Sequence, residues 1–385
     1  MIFSSLRTAA FRNLADTEVS TNAKNVFLVG DNGQGKTNFL EALYFCSYAS
    51  SFRVTGDGDI ARNGEKNFSV EVKILYSNND NVLVKFEKNK KVIIINGKHA
   101  EDRKELLAVA PCIVFCHEDM EFTSGSPERR RWFFDQALSL YDPVYLEDLR
   151  RYRHVLKIRN TVLRDSTRRK PDGSIETVLD ALDTQYAMYG KKLMEKRTVA
   201  VRDFSLVFGP LYNEVSGIDC IGVQYNQSWK TNLNKENQDI QMNTVQEKEL
   251  PSEDEILSML QNKRAVEMAA GLSISGPHRD RYIFTRNSDE FTGKASTGQR
   301  RLLALLLRAA QARRFSDMTG NKPVLLLDDV LLEMDGEKRR RFLSVLPEYD
   351  QAFFTFLPEE PYQRYCKDNT LVYTVKNGCL EISGV

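Results

Sequence analysis

Residues 30–37 hold the most informative motif of the chain, Gly30-Asp31-Asn32-Gly33-Gln34-Gly35-Lys36-Thr37. They match the pattern G-x-x-x-x-G-K-[ST] in full, and they stand between an apolar stretch at 26–29 and a helix-favouring stretch at 38–48. The glycines let consecutive backbone N–H groups point at phosphate oxygens, at the positive end of the following helix. The lysine is placed to reach β- and γ-phosphates, and the threonine hydroxyl suits Mg²⁺. The motif therefore predicts a strand, loop and helix that bind a nucleoside triphosphate. A glycine-rich turn without a ligand is the less favoured interpretation.

Two adjacent carboxylates follow an apolar run further along the chain. Val324-Leu325-Leu326-Leu327 is typical of a strand buried on both faces, and it leads directly into Asp328 and Asp329. Carboxylates at such a strand end can hold Mg²⁺ and polarise the water that attacks a γ-phosphate. Because successive residues at a strand end point in opposite directions, we assign Asp328 to the metal, with Thr37, and Asp329 to the water. The alternative is that the two aspartates cap a helix.

A predicted helix begins at Ser296-Thr297-Gly298-Gln299, which by itself is a weak signal. An ordinary N-cap explains Ser296 or Thr297 equally well. A hydroxyl and a glycine at a helix N-terminus also suit an anion, and their position shortly upstream of the carboxylate strand resembles the signature motif of ABC ATPases. That resemblance implies that Ser296, Gly298 and Gln299 contact the nucleotide of a second subunit, with Ser296 in a catalytic role. It further implies a head-to-tail homodimer with ATP between the subunits.

The length and the change of pattern along the chain predict two lobes. A chain of 385 residues with 42% hydrophobic residues has ample material for more than one core. We expect the fold to be α/β, with an ABC-type P-loop ATPase head at 1–125 and 270–385 that includes an antiparallel meander at 68–96. A helical second lobe is predicted at 126–269, with an exposed polar segment near 226–254. No internal repeat is apparent.

Charge and targeting features narrow the functional classes. Lys and Arg total 54 against 53 Asp and Glu, so net charge gives no support for nucleic-acid binding, and any DNA surface must be local. The six cysteines are scattered, which favours reduced thiols over a zinc site. The first residues do not resemble a signal peptide, and no apolar run is long enough to span a bilayer. We therefore expect a cytoplasmic protein that is not bound to a membrane.

Four stretches of the sequence resemble the RecF family across most of the chain. They are residues 35–44, residues 115–131, residues 145–160 and the specific run Gly276-Pro277-His278-Arg279-Asp280. RecF-like proteins share the ATPase head of SMC proteins but carry a short helical lobe in place of a long coiled coil. The resemblance implies an ATP-dependent homodimer on double-stranded DNA or a single/double-strand junction in the nucleoid, with ATP and Mg²⁺ as cofactors. It implies a weak, DNA-dependent ATPase of DNA repair, replication and the SOS response to DNA damage, with RecR and RecO partners that help load the strand-exchange protein at gaps.

The resemblance also implies roles for individual residues. Lys36 joins Asp329 and Ser296 as a catalytic residue, and Asp335 lies in the nucleotide-contacting loop after the carboxylate strand. Thr355 stands near the nucleotide where transporter ATPases have histidine, and Asp329 stands where most ABC ATPases have glutamate. Threonine cannot act as a charged phosphate sensor, so we expect slow turnover. Glu118 lies in the region of the usual glutamine that contacts Mg²⁺.

His278 and Arg279 belong to the most specific run of the resemblance, yet their role is open. Either residue could approach the nucleotide, or both could brace the lobe. A lone histidine serves a structural role as often as a binding role.

The arginines of the helical lobe are the best local evidence for a DNA surface. They include Arg129, Arg130, Arg131, Arg150, Arg151 and Arg153. Clustered arginines neutralise phosphates without regard to sequence, which would make binding strongly dependent on salt. The alternative is a set of solvated helix faces paired with nearby acids, and without the family resemblance this alternative would be favoured.

Other classes of P-loop protein remain as alternatives. An ABC transporter ATPase subunit would normally carry the histidine that Thr355 replaces. A P-loop kinase or GTPase needs no serine–glycine signature in a second subunit. A structural clamp that binds ATP and dimerises without hydrolysis is also compatible with the sequence, and phosphate release with and without duplex DNA would distinguish it.

Overall fold

The computed structural model describes residues 1–54, 56–75, 80–167, 173–230, 250–331 and 334–383. Most of the predicted polar segment at 226–254 lies outside these residues, as does Glu333, which precedes Met334 and Asp335. The described strands are β1 (Ile2–Ala9), β2 (Glu18–Ser20), β3 (Asn25–Val29), β4 (Phe68–Leu75), β5 (Asp80–Glu87), β6 (Lys90–Ile95), β7 (Lys98–His99), β8 (Cys112–Phe115), β9 (Ile221–Asn226), β10 (Arg281–Arg286), β11 (Asp289–Glu290), β12 (Val324–Leu327), β13 (Gln351–Phe356), β14 (Thr370–Lys376) and β15 (Cys379–Ile382).

The described α-helices lie between groups of these strands. They are α1 (Lys36–Tyr48), α2 (Arg103–Val109), α3 (Met120–Ser124), α4 (Pro127–Ser139), α5 (Pro143–Ser166), α6 (Gly173–Ser216), α7 (Glu253–Ala270), α8 (Thr297–Thr319) and α9 (Gly336–Val345). Contacts divide the chain into two units. The first comprises Met1–Met120, Glu214–Ser216 and Leu303–Val385, and the second comprises Glu121–Asn213 and Gly217–Leu302.

The first unit contains two sheets of six strands. One is antiparallel, in the order β2-β1-β4-β5-β6-β7, which confirms the meander predicted at 68–96. The other has the order β15-β14-β3-β13-β12-β8, and its strands from β14 to β8 are parallel. Every residue of β3, β12, β13 and β8 is buried, as their apolar sequences require. These parallel strands bring the end of β12 beside the end of β13 and near the loop after β3.

The second unit combines the helices α3 to α7 with a sheet in the order β11-β10-β9. Its interior contains a charged network as well as apolar side chains. Arg159 on α5 is fully buried, and its guanidinium lies 2.6 Å from both Asp183 and Glu267. A buried cation of this kind is tolerated only when it is paired and hydrogen-bonded. One of the arginines between the apolar positions of α5 is therefore part of the core.

The structure confirms the predicted fold class, an α/β ATPase head with a helical insertion. The contact-based division differs from the predicted lobe boundaries at residues 121–125 and 270–302, which group with the helical unit, and at 214–216, which group with the first unit. Strand pairing explains the difference at 270–302. Arg281–Arg286 pairs antiparallel with Ile221–Asn226, so a strand that follows the helical segment in sequence is held by that segment's own strand.

Candidate functional site

The glycine-rich loop joins β3 to α1, as predicted. Gly33 and Gly35 have φ angles of +78° and +118°, a region that side chains other than glycine rarely adopt. Gly35 is the N-cap residue of α1, and the first turn of that helix carries no acidic residue. The loop therefore ends at a helix N-terminus with uncompensated backbone donors, which is the usual environment for a phosphate group.

Neighbouring segments hold the loop in shape. Asn13 donates a hydrogen bond of 3.2 Å to the carbonyl of Gly33. Gln34 accepts at its side chain from the backbone N–H of Asn377, at 2.7 Å, and at its carbonyl from that of Gly378, at 2.8 Å. A Cβ at Gly30 would lie 2.4 Å from the carbonyl oxygen of Val375, so close backbone packing requires glycine there. The shape of the loop thus depends on residues far away in sequence.

Lys36 and Thr37 are the first two residues of α1, and they differ in burial. Lys36 is buried, and its Nζ donates to the carbonyl of Gly30 and, at 3.1 Å, to that of Asp31. Thr37 is half-buried, and its Oγ1 donates a hydrogen bond of 2.9 Å to Oδ1 of Asp328. Asp31, Asn32 and Gly33 are exposed at the rim of the loop. The structure thus brings the predicted metal pair, Thr37 and Asp328, into direct contact.

Asp328 carries an unusual protonation equilibrium. Burial, and after it the carboxylate of Asp329, raises the pKa of Asp328 to about 7, while the hydrogen bond from Thr37 acts in the opposite direction. A divalent cation among these oxygens would offset the buried negative charge. Carboxylate and hydroxyl oxygens are also the ligands that Mg²⁺ prefers. The residues present therefore fit the implied Mg²⁺ site.

Asp329 adopts a conformation that most residues avoid. Its φ is +50°, in the left-handed region, where a non-glycine residue stores strain that the surroundings must support. Thr355 at the end of β13 gives that support: its Oγ1 accepts from the Asp329 N–H at 2.7 Å and lies 2.9 Å from Asp329 Oδ1. The same hydroxyl lies 3.3 Å from Asp328 Oδ1. One buried threonine thus contacts both carboxylates.

The predicted signature residues begin α8 in the second unit. Ser296 Oγ accepts from the Gln299 N–H at 3.3 Å, and Gln299 Oε1 accepts from the Ser296 N–H at 2.8 Å. This reciprocal pair is a capping box, so the N-cap interpretation of Ser296 describes its contacts within one chain. Ser296, Thr297 and Gly298 are exposed, and a Cβ at Gly298 would meet nothing within 4 Å. This helix end is therefore open to a ligand or a second subunit.

Asp335 occupies a comparable position at the start of α9. It is exposed and accepts at 2.9 Å from the Lys338 N–H and at 2.8 Å from Lys338 Nζ. These bonds make it the N-cap residue of the helix. The predicted nucleotide-contacting role of Asp335 remains a prediction.

Sequence reasoning missed Arg53, which lies close to the carboxylate pair. Arg53 donates at 2.9 Å to Asn38 Oδ1 on α1 and approaches Glu118 to 3.9 Å. Its positive charge lowers the pKa of Asp328, whereas Glu118 raises it, so both charges act on the predicted metal site. No motif marks Arg53, because its neighbours are joined by folding and not by spacing.

The Gly276–Asp280 run forms a brace inside the second unit. His278 Nδ1 lies 2.9 Å from the hydroxyl of Tyr152 and 3.2 Å from that of Tyr186, and its Nε2 lies 3.1 Å from the carbonyl of Ser273. Asp280 is fully buried and pairs with Arg197 at 3.0 Å. The contacts of His278 therefore fit the structural alternative, in which it braces the lobe. The Arg279 side chain, by contrast, is exposed.

Several of the predicted DNA-binding arginines have acidic partners. Arg129 pairs with Glu121 at 2.6 Å, Arg151 with Glu147 at 2.9 Å, and Arg153 with Asp135 at 3.2 Å. These arginines are exposed, so their partners reduce their charge without covering them.

The other three of these arginines are less accessible. Arg130 donates to the carbonyl of Tyr282, and Arg131 donates at 2.8 Å to that of Asp280. Burial lowers the pKa of both guanidinium groups. Arg150 is half-buried. Arg130 and Arg131 therefore have structural contacts of their own.

Among the described residues, no helix is both long enough and apolar enough to cross a membrane. The family described as RecF/RecN/SMC N terminal domain matches residues 2–381. The chain is 42% identical to the DNA replication and repair protein RecF of Treponema pallidum (strain Nichols), over 96% of this chain and 97% of the relative. It is 31% identical to the protein of the same description from Halothermothrix orenii, over 96% of both chains.

Two solved structures resemble the fold. One, described as the recombination mediator protein RecF-ATP in the RecFOR pathway, superposes with a TM-score of 0.85 at 24% identity, covering 99% of this chain and 97% of the other. The other is an Smc head bound to the C-terminal winged-helix domain of ScpA, with a TM-score of 0.51 at 13% identity, covering 99% of this chain and 97% of the other. At these identities the likeness concerns the fold alone.

Proposed function

The chain belongs to the RecF family within the RecF/RecN/SMC N-terminal domain proteins, and on that premise we propose that it is an ATP-dependent DNA-binding protein of recombinational repair and replication-fork recovery. Its curated relatives are described as DNA replication and repair proteins. The observation that carries the proposal is the cluster of Thr37, Asp328, Asp329 and Thr355 beside the glycine-rich loop. A ligand-free turn would not need a buried carboxylate next to a helix N-terminus.

We assign the nucleotide contacts to the first unit. The backbone donors of residues 30–37 and Lys36 bind the phosphates, and Thr37 and Asp328 hold the cation. Mg²⁺, when bound, neutralises charge on the β- and γ-phosphate oxygens. Asp328 must give up its proton to serve as a ligand, which its pKa of about 7 allows at cellular pH.

Asp329 orients the attacking water in this proposal. Its carboxylate is hydrogen-bonded to Thr355, which fixes its direction but also occupies one of its oxygens. Asp is shorter than the Glu that most ABC ATPases use, and Thr355 adds no positive charge near the developing negative charge. Slow hydrolysis is the expected consequence, so the enzyme acts as a timer for the ATP-bound state and not as a motor.

The ATP-bound state is a head-to-tail homodimer in this proposal. The exposed N-terminus of α8 lacks an acidic first turn, so Ser296 and Gly298 of one subunit can face the γ-phosphate bound by the other. Asp335 stands at the start of α9, where a partner subunit could contact it. Hydrolysis removes the shared phosphate and releases the dimer from DNA. We assign partners of the RecR and RecO type to the DNA-bound dimer, which would help to load the strand-exchange protein at gaps.

A DNA-binding titration tests the proposal. Binding of the purified full chain to duplex DNA and to a duplex with a single-stranded gap is measured at several salt concentrations with ATP and with ADP. We expect tight, salt-dependent binding only with ATP, and loss of that difference in Lys36→Ala. Lys66→Ala removes an exposed lysine outside the loop and serves as the matched control. Equal binding with ATP, with ADP and in Lys36→Ala would contradict the proposal.

A further inference from the structure

An open hollow of about 520 Å³ lies at the end of β9 in the second unit. Apolar Ile274 lines it together with six polar or basic residues, Asn226, Gln227, Ser228, Lys230, Arg279 and Arg281. No acidic residue lines it within the part of the chain that the structure describes. Several other exposed arginines of the second unit differ in this respect, because they are paired with acidic side chains.

The three cations of the hollow have no partner among the described residues. Lys230, Arg279 and Arg281 are exposed, and none of them forms an ion pair or a side-chain hydrogen bond with any described group. Arg129, Arg151 and Arg153, by contrast, each face an acid within 3.2 Å. No described group therefore neutralises the positive charge of the hollow.

Arg279 and Arg281 lie on either side of one buried residue. Arg279 ends a short 3-10 helix (Pro277–Arg279) and Arg281 begins β10, and both side chains are exposed, whereas Asp280 between them is fully buried. Asp280 is anchored by Arg197, by the hydroxyl of Tyr225 and, at 2.8 Å, by the backbone N–H of Ser228. This last bond also ties the segment after β9 to the arginine segment.

The backbone at Lys230 is held in place by its buried neighbour. Trp229 is fully buried, and its Nε1 donates at 3.2 Å to Ser275 Oγ. Ser228 Oγ accepts from the Gly276 N–H at 3.0 Å. The backbones that carry the three cations are thus fixed before any ligand binds, which reduces the entropy that binding must lose.

We propose that the hollow formed by Lys230, Arg279 and Arg281 is a binding site for phosphates of a nucleic-acid backbone. The inference rests on the proposed function and locates part of its DNA contact. Arginine guanidinium groups match the geometry of phosphate oxygens, and Asn, Gln and Ser side chains are common donors to phosphate and sugar. The wide opening suits a continuous strand, and charge complementarity favours a polyanion. The exposed Arg279 of the family-specific run thereby gains a role distinct from that of His278.

The test is a salt titration of DNA binding with ATP for the full chain and two triple variants. One removes the hollow's charges: Lys230→Gln, Arg279→Gln and Arg281→Gln. The matched control removes three exposed lysines of the first unit: Lys66→Gln, Lys88→Gln and Lys90→Gln. We expect the hollow variant to bind at least about tenfold more weakly at low salt, with a salt slope smaller by about 3, because each lost phosphate contact lowers the slope by about 1. The control should bind like the unaltered chain.

ATP binding and thermal unfolding of each variant show whether it is folded. If the triple variant does not fold, Arg281→Gln alone should lower the slope by about 1, and Arg281→Lys should restore it. Unchanged affinity and slope in a folded hollow variant would overturn the inference and leave the proposed function standing. An equal loss in the control would also overturn it. If the unaltered chain shows no ATP-dependent DNA binding, the proposed function fails, and this inference fails with it.

Discussion

Thr355 Oγ1 lies 2.9 Å from Oδ1 of Asp329, across 26 residues of sequence, and the same oxygen accepts the Asp329 N–H at 2.7 Å. The hydroxyl therefore holds both the carboxylate and the strained backbone of one residue. Thr355 stands where the family resemblance places the histidine of transporter ATPases, and we expect its hydroxyl to position the Asp329 carboxylate.

Replacement of Thr355 tests this positioning role. Thr355→Val keeps the shape but removes the hydroxyl that accepts from the half-buried Asp329 N–H, at a cost of about 1 kcal/mol. We expect ATP hydrolysis to fall at saturating ATP while ATP binding persists, measured by phosphate release and by fluorescent nucleotide titration. Thr355→Ser keeps the hydroxyl and should retain hydrolysis. If Val and Ser variants hydrolyse ATP equally, the hydroxyl has no positioning role.

Asp329→Asn tests the assignment of the attacking water. Asparagine preserves size and a hydrogen bond to Thr355 but cannot accept a proton, so we expect hydrolysis to fall by about hundredfold or more. ATP should still bind, and the ATP-bound dimer should accumulate, as light scattering after size-exclusion chromatography would record. Asp317→Asn, on the exposed side of α8, is the control for a lost surface carboxylate. Undiminished turnover in Asp329→Asn would require another residue to orient the water.

Ser296→Arg tests the contribution of a second subunit. The side chain at this exposed helix end would place bulk where the partner's nucleotide is expected, and loss of the cap would cost about 1 kcal/mol of stability. We expect ATP binding by the single chain to persist and ATP-dependent dimerisation to disappear. Ser296→Asn keeps an N-cap, so comparison of the two variants separates the loss of stability from the steric effect on dimerisation. A dimer that still forms with ATP in Ser296→Arg would place the interface elsewhere.

We expect His278 to make the stability of the folded chain depend on pH. Burial lowers the pKa of His278 to about 4 from its usual 6.5, and the nearby charges of Arg279 and Arg131 act in the same direction, whereas the hydrogen bond to the Ser273 carbonyl raises the pKa. Below pH 6.5 the unfolded chain binds a proton that the folded chain does not, so stability is full above that pH and falls as the pH drops towards 4. The expected loss between pH 7 and pH 5 is about 2 kcal/mol.

Urea unfolding at pH 7 and pH 5 measures this effect. His278→Gln should be less stable than the unaltered chain at pH 7, because it loses hydrogen bonds, yet its stability should change less with pH. His154→Gln, an exposed histidine of α5, should leave the pH dependence as it is. The same pH dependence in all three proteins would show that His278 does not cause it.

Local patterns were sufficient to predict the strand, loop and helix that carry the proposed nucleotide site. The glycine-rich loop, the strand before it and the helix after it depend on neighbouring residues, so the sequence alone located Lys36 and Thr37. The apolar run at 324–327 likewise located Asp328, because a strand buried on both faces has a continuous apolar sequence. The fold class followed from these motifs and from the family resemblance, and the structure confirms it.

Tertiary structure decided which charges are paired and which are free. The arginines near α4 and α5 looked like a DNA surface in the sequence, but folding gives Arg129 and Arg153 acidic partners and leaves Lys230, Arg279 and Arg281 without any among the described residues. The contact of Thr355 with Asp329 is decided in the same way, by parallel pairing of β13 with β12. Periodicity fixes what a residue does within its own helix or strand, whereas ion pairs and burial depend on side chains brought together from distant parts of the chain.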